Sequence, residues 1–159
     1  MKKTMRRRIA NLIGKWFGCG LSPAGPGTAG SLGAIAIGLI AHHWFPFRPQ
    51  WFLLWAAVLL VPGIWAAGEV AKLLAKEDPG CVVVDEVVGQ WVTLAGALTL
   101  NWKSWLAAFV LFRLFDIWKP WPVYKLESLP GGTGIVADDV MAGIYGALVL
   151  AVAGCFNLY

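Results

Sequence analysis

The chain has 159 residues, 58% of them hydrophobic and 14% charged, with thirteen Lys and Arg against nine Asp and Glu for a net charge of +4. Soluble domains carry about a quarter charged residues, and a mean hydropathy of +0.67 leaves more apolar surface than one core of this size can hide. This excludes a soluble globular domain and points to an all-α, polytopic membrane bundle of four or five short apolar helices with a polar site at its cytoplasmic face.

The first acid is Glu69, whereas Lys2, Lys3, Arg6, Arg7, Arg8 and Lys15 open the chain. Residues 1–17 read as a basic amphipathic arm. Nucleic acid could attract such an arm, but apolar segments follow it, so anionic lipid is the expected partner and nucleic acid is not. The apolar piece at 9–17 is short and interrupted by Asn11, Gly14 and Lys15, and no cleaved signal is expected. Cys19, Cys81 and Cys155 are odd in number, lack paired metal spacing and read as small buried residues.

Next comes LSPAGPGTAGS, residues 21–31, where Thr28 or Ser31 could cap the following helix and its backbone N–H groups could hold phosphate. The spacing is not that of a P-loop. Five apolar stretches follow at 31–45, 50–71, 87–100, 104–118 and 140–156, several shorter than the roughly 20 residues of a full span. Pro62-Gly63 predicts a kink in the second. With the basic end inside, eleven Lys and Arg fall on the inner side against Arg48 and Lys103 outside, as the positive-inside rule requires. All nine acids fall inside too. Trp44, Trp51, Trp102 and Trp105 bracket the outer turns, and Trp118 and Trp121 mark the inner boundary.

The third stretch opens with VVVDEVVGQW, setting Asp85 and Glu86 at a helix start, where one acid suits the dipole but two adjacent carboxylates repel without a cation. In FRLFDIWKP, Arg113, Asp116 and Lys119 recur every three residues and would share a helix face. Asp138 and Asp139 end the last loop before VMAGIYGALV. Two acidic pairs plus Asp116 on one side of a membrane favour a hard cation such as Mg²⁺. Arg113 could then grip phosphate bidentately and Lys119 add a point charge, a set suited to phosphoryl transfer. Mutual structural pairing of these charges is the competing reading. No cysteine-nucleophile loop or D-x-D occurs, and His42 and His43 lie far from the acids. A metal-activated water is the simplest remaining nucleophile, with carboxylate attack also open.

At LSPAGPGTAGS, VVVDEVVGQW, FRLFDIWKPWP and LPGGTGIVADDVMAG, in that order, the chain resembles the phosphatidylglycerophosphatase A family of bacterial membrane phosphatases. The resemblance spans about residues 18–159. It implies a helical bundle that hydrolyses phosphatidylglycerophosphate to phosphatidylglycerol and inorganic phosphate, with Mg²⁺, at the cytoplasmic face of the inner membrane. It also implies roles: Asp85, Glu86, Asp116, Asp138 and Asp139 at the metal, Arg113 and Lys119 on phosphate, and Thr28 and Ser31 as further phosphate contacts. Asp85, Glu86, Asp116, Arg113 and Lys119 form the catalytic set. Two alternatives compete. A phosphotransferase acting on nucleotide-activated lipid would need a D-x2-D-G motif that is missing, and would release CMP. An ion- or proton-coupled transporter would place charges along the outer half of a span, where there are none.

Overall fold

A computed structural model describes residues 2–159, with the Lys2 side chain left aside, and shows helices and no strand among them. The chain order is α1 (Lys2–Gly14), a 3-10 helix (Trp16–Leu21), α2 (Pro26–Trp44), α3 (Trp51–Leu74), α4 (Val84–Ala95), α5 (Trp102–Trp118), α6 (Val123–Leu126) and α7 (Gly132–Cys155).

The centre is α4. All but Glu86 of its 12 residues are buried, because α2, α3, α5 and α7 all pack around it. Its glycine allows the closest approach: a Cβ on Gly143 of α7 would run into the Gly89 carbonyl. The Thr93 hydroxyl lies 3.1 Å from the Gly89 carbonyl and 3.2 Å from that of Gly143, tying the two helices with one shared donor. On its other flank, the Trp91 indole N–H donates to the Ala34 carbonyl of α2 at 3.1 Å. Its ring meets Trp16 and Trp55 edge-on, with centroids 5.7 and 5.4 Å away, a geometry that aromatic quadrupoles favour.

α1 lies against α3. Ala10 and Gly14 are buried, Arg6 pairs with Glu69 at 3.0 Å, and the Gly14 carbonyl accepts from the Val83 N–H at 2.8 Å.

Length and hydropathy single out α3 and α7, 24 residues each, as helices able to cross a membrane; at 1.5 Å per residue each is about 36 Å long. The other apolar stretches form helices of 12 to 19 residues. Large apolar side chains point outward, including Val58 and Val61 of α3, Val110 and Ile117 of α5, and Leu148 and Val152 of α7. In water such faces would be liabilities. α3 runs on as one helix through Pro62. At the far end, Asn101 and Ser104 form a reciprocal capping box on α5, the arrangement that satisfies two orphan N–H groups at once.

Three helix starts, those of α2, α4 and α7, converge with the ends of α3 and α5. The acids gather at that end of the bundle.

Three sequence expectations differ from this arrangement. Neither Thr28 nor Ser31 caps α2: Gly25 is the N-cap and Pro26 the first helical residue, since proline's fixed φ and missing N–H suit that position. Asp138 and Asp139 do not end a loop; α7 begins at Gly132 and carries both inside the helix. The cysteines are free, but Cys19 and Cys81 are only half-buried and Cys155 is exposed, not buried as expected.

Candidate active site

Asp85 and Glu86 occupy the first turn of α4, following Val83, an N-cap without a side-chain hydrogen bond. From α7, Asp139 faces them. One oxygen of each of the three lies within 4.8 Å of the others. They border a cleft of about 740 Å³, together with Asp116, Lys119 and Asp138. Its remaining walls come mainly from the end of α3, the segment between α3 and α4, and the turn before α7.

Arg113 and Lys119 are already engaged. Arg113 hydrogen-bonds Asp116 one turn along α5 and lies 4.0 Å from Glu86. It stands behind the cleft lining, with its side chain 18% exposed. Lys119 does not continue that helix face. It ends α5 in a left-handed conformation, φ 46°, and turns instead to Asp138 at 2.8 Å and Glu127 at 3.2 Å. Burial alone would lower the Lys119 ammonium, but the bonds and charges of Asp138 and Glu127 outweigh it and hold the group above the usual lysine range. Burial pushes the Asp85 carboxyl well up from its ordinary value, with the charges of Glu86 and Asp139 adding to the effect.

Four buried oxygens face no donor: Asp85 Oδ1, Glu86 Oε2, Asp138 Oδ1 and Asp139 Oδ2. Around them, the carboxylates of Asp85, Glu86, Asp116, Glu127, Asp138 and Asp139 meet Arg113 and Lys119, and the exposed Lys72, Lys76, Glu77 and Asp78 also border the cleft. Buried carboxylates need a charge partner or they neutralise. Converging, unpaired, all-oxygen donors fit a hard divalent cation, so the residues present suit a metal.

The structure brings together Asp85, Glu86 and Asp139 directly, and Asp116, Asp138, Arg113 and Lys119 through ion pairs at the same cleft. It does not bring Ser31 there: that residue is fully buried and its hydroxyl donates to the Gly27 carbonyl at 3.1 Å. Thr28 is half-buried in the first turn of α2 and does not border the cleft.

Two residues escaped the sequence reading. Gly27 stands where a Cβ would collide with Glu86 Oε1 and come 3.1 Å from an Arg113 nitrogen. Gln90, one turn beyond Glu86, is fully buried with both amide atoms unpartnered. It extends the polar region inward, and a glutamine inside an otherwise apolar helical run was the available signal.

Fold and site define the chain as an apolar helical-bundle enzyme with an oxygen-rich, cation-bordered centre. It belongs to the phosphatidylglycerophosphatase A family, whose sequence model matches residues 12–154, and is with that family a phosphatase. Two relatives bear the name phosphatidylglycerophosphatase A. That of Escherichia coli K12 is 39% identical over 147 residues, covering 91% of this chain and 83% of the relative. That of Haemophilus influenzae is 37% identical over 151 residues, covering 94% and 91%. A Bacteroides thetaiotaomicron protein named "Putative phosphatidylinositol-3-phosphatase" is 45% identical over 149 residues, covering 89% and 91%. No solved structure matches.

Proposed function

We propose that the protein hydrolyses the terminal phosphomonoester of phosphatidylglycerophosphate in a Mg²⁺-dependent reaction, yielding phosphatidylglycerol and inorganic phosphate at the cytoplasmic face of a bacterial inner membrane. The observation that carries this reading is the group of unpaired buried oxygens of Asp85, Glu86 and Asp139 beside Lys119, in a chain of this family.

Asp85, Glu86 and Asp139 would hold the magnesium, with Asp116 and Asp138 beside them, and the ion would neutralise charge on the phosphate. Lys119 borders the cleft and can meet a phosphate oxygen while still held by Asp138. Arg113 positions Glu86 and Asp116, and reaches the phosphate by exchanging its bond to Asp116. Water adds to phosphorus, the P–O bond to glycerol breaks, and a carboxylate of the cluster accepts the water's proton and passes it to the departing glycerol oxygen. The outward apolar faces of α3, α5 and α7 suit a lipid surround, leaving the acyl chains in the bilayer while the headgroup enters the cleft.

The test is phosphate release from phosphatidylglycerophosphate by the purified protein. Activity is expected with Mg²⁺, with loss in excess chelator and at least a hundredfold loss in an Asp85→Asn, Asp139→Asn variant, the scale of losing a metal centre's charge stabilisation. Full activity under chelation would overturn the metal role.

A second substrate reading has one specific support, the printed name of the Bacteroides relative. Phosphorylated inositol lipid shares the chemistry of a phosphomonoester on a polyol headgroup. Side-by-side assays on the two lipids decide between them.

A further inference from the structure

A second cavity lies away from the catalytic cleft. It is a groove of about 440 Å³ between α1 and the 3-10 helix, and it shares no lining residue with the cleft. Arg7, Arg8 and Lys15 line it with Asn11, Leu12 and Leu21. Among the described residues none of these three cations forms an ion pair, whereas Arg6, next to them, is turned away to Glu69. No acid is among the residues that line the groove.

The same segment exposes apolar side chains. Met5, Ile9 and Leu12 follow one another along one face of α1, and each is exposed, as are Phe17 and Leu21 at 68% and 67%. Phe17 stands out because of the backbone beneath it. Trp16 and Phe17 both adopt left-handed conformations, φ 42° and 53°, which bulky L residues rarely take. Trp16 is packed inward against Trp91, and the turn that allows this leaves Phe17 exposed, one residue before Gly18 of the groove lining. Strain of this kind persists where the surroundings enforce it, and it clusters at ligand sites.

We propose that this groove binds the headgroup of an anionic phospholipid from the surrounding bilayer, as a site distinct from the catalytic cleft. Arg7, Arg8 and Lys15 meet the phosphodiester, the Asn11 amide lies within the same cavity, and Phe17 and Leu21 accompany the acyl chains. Cations on a segment whose other exposed side chains include Met5, Ile9, Leu12, Phe17 and Leu21 suit a membrane interface. A nucleic-acid backbone would leave those apolar side chains against water, which is why lipid is favoured.

The test uses the full chain in a zwitterionic detergent, offered equal phosphatidylglycerol and phosphatidylcholine and read by native mass spectrometry. Wild-type protein retains phosphatidylglycerol in preference by tenfold or more. An Arg7→Gln, Arg8→Gln, Lys15→Gln variant loses the preference, each charge carrying about a fivefold factor, while Lys119→Gln keeps it. A preference surviving in the triple variant, or abolished by Lys119→Gln, overturns the proposal. So does binding of a single-stranded oligonucleotide at physiological salt without any lipid preference. Should the triple variant fail to fold, wild-type protein is photolabelled with phosphatidylglycerol bearing a headgroup diazirine. Labels within residues 3–21 uphold the site, and labels only elsewhere overturn it. Because the readout is lipid retention, a negative result here leaves the hydrolytic reading untouched.

Discussion

Gly27 and Lys119 make the sharpest demands on single side chains. At Gly27 a methyl group would meet Glu86 Oε1 and crowd Arg113. Alanine is the better helix former by roughly 1 kcal/mol, so Gly27→Ala should leave thermal stability intact. Displacement of Glu86 by even about 1 Å should lower phosphate release by up to a hundredfold. Steady-state assay alongside a melting curve checks both halves. Lys119→Gln strands the Asp138 carboxylate, whose side chain is 5% exposed. That variant should lose about 1–3 kcal/mol of stability as well as activity, measured by denaturation and by phosphate release. The acids themselves were legible, because two carboxylates side by side in an apolar run demand a partner. The partners were not. Helical spacing put Lys119 on a face with Arg113 and Asp116, but a left-handed end to α5 swings it to Asp138, and one-dimensional spacing cannot see that turn.

At the scale of elements, the α4–α7 seam holds the site together. Gly89 and Gly143 let the two backbones touch, and a Cβ on Gly89 would also press on the Asp139 carbonyl, 2.6 Å away. Gly143→Ala should therefore cost about 1–3 kcal/mol through overpacking, seen as a lowered melting temperature. The glycine run of LPGGTG reads locally as loop, yet Gly132 and Gly134 are helical in α7. They are glycines for another reason: a Cβ on Gly132 would collide with the Ile64 carbonyl, and one on Gly134 with that of Leu129. Tertiary contact overrides propensity here, so the helix starts earlier than its apolar pattern. α2 also starts earlier than it was read, since Pro26 was a visible start signal outweighed in the reading by two hydroxyl residues further on.

For the whole molecule, hydrophobicity is arranged inside and out. The buried core around α4 is matched by outward Leu and Val on α3, α5 and α7, and the window of α3 apolar enough to span is only 28% buried. The protein should remain with the membrane pellet after alkaline carbonate extraction; release into the supernatant would contradict the lipid-facing reading. Apolar stretches in the sequence located all five longer helices from α2 to α7, because composition and periodicity are local properties. Which of them pack around α4 was not legible, because the small residues that decide it look like turn signals in a single chain.

The bond from the Val83 N–H to the Gly14 carbonyl has a mechanical consequence. Val83 is two peptides ahead of Asp85, so the opening helix holds the leash of the strongest acid cluster in the bundle. A tilt of that helix is therefore felt at the first turn of α4, together with whatever its packing on α3 transmits.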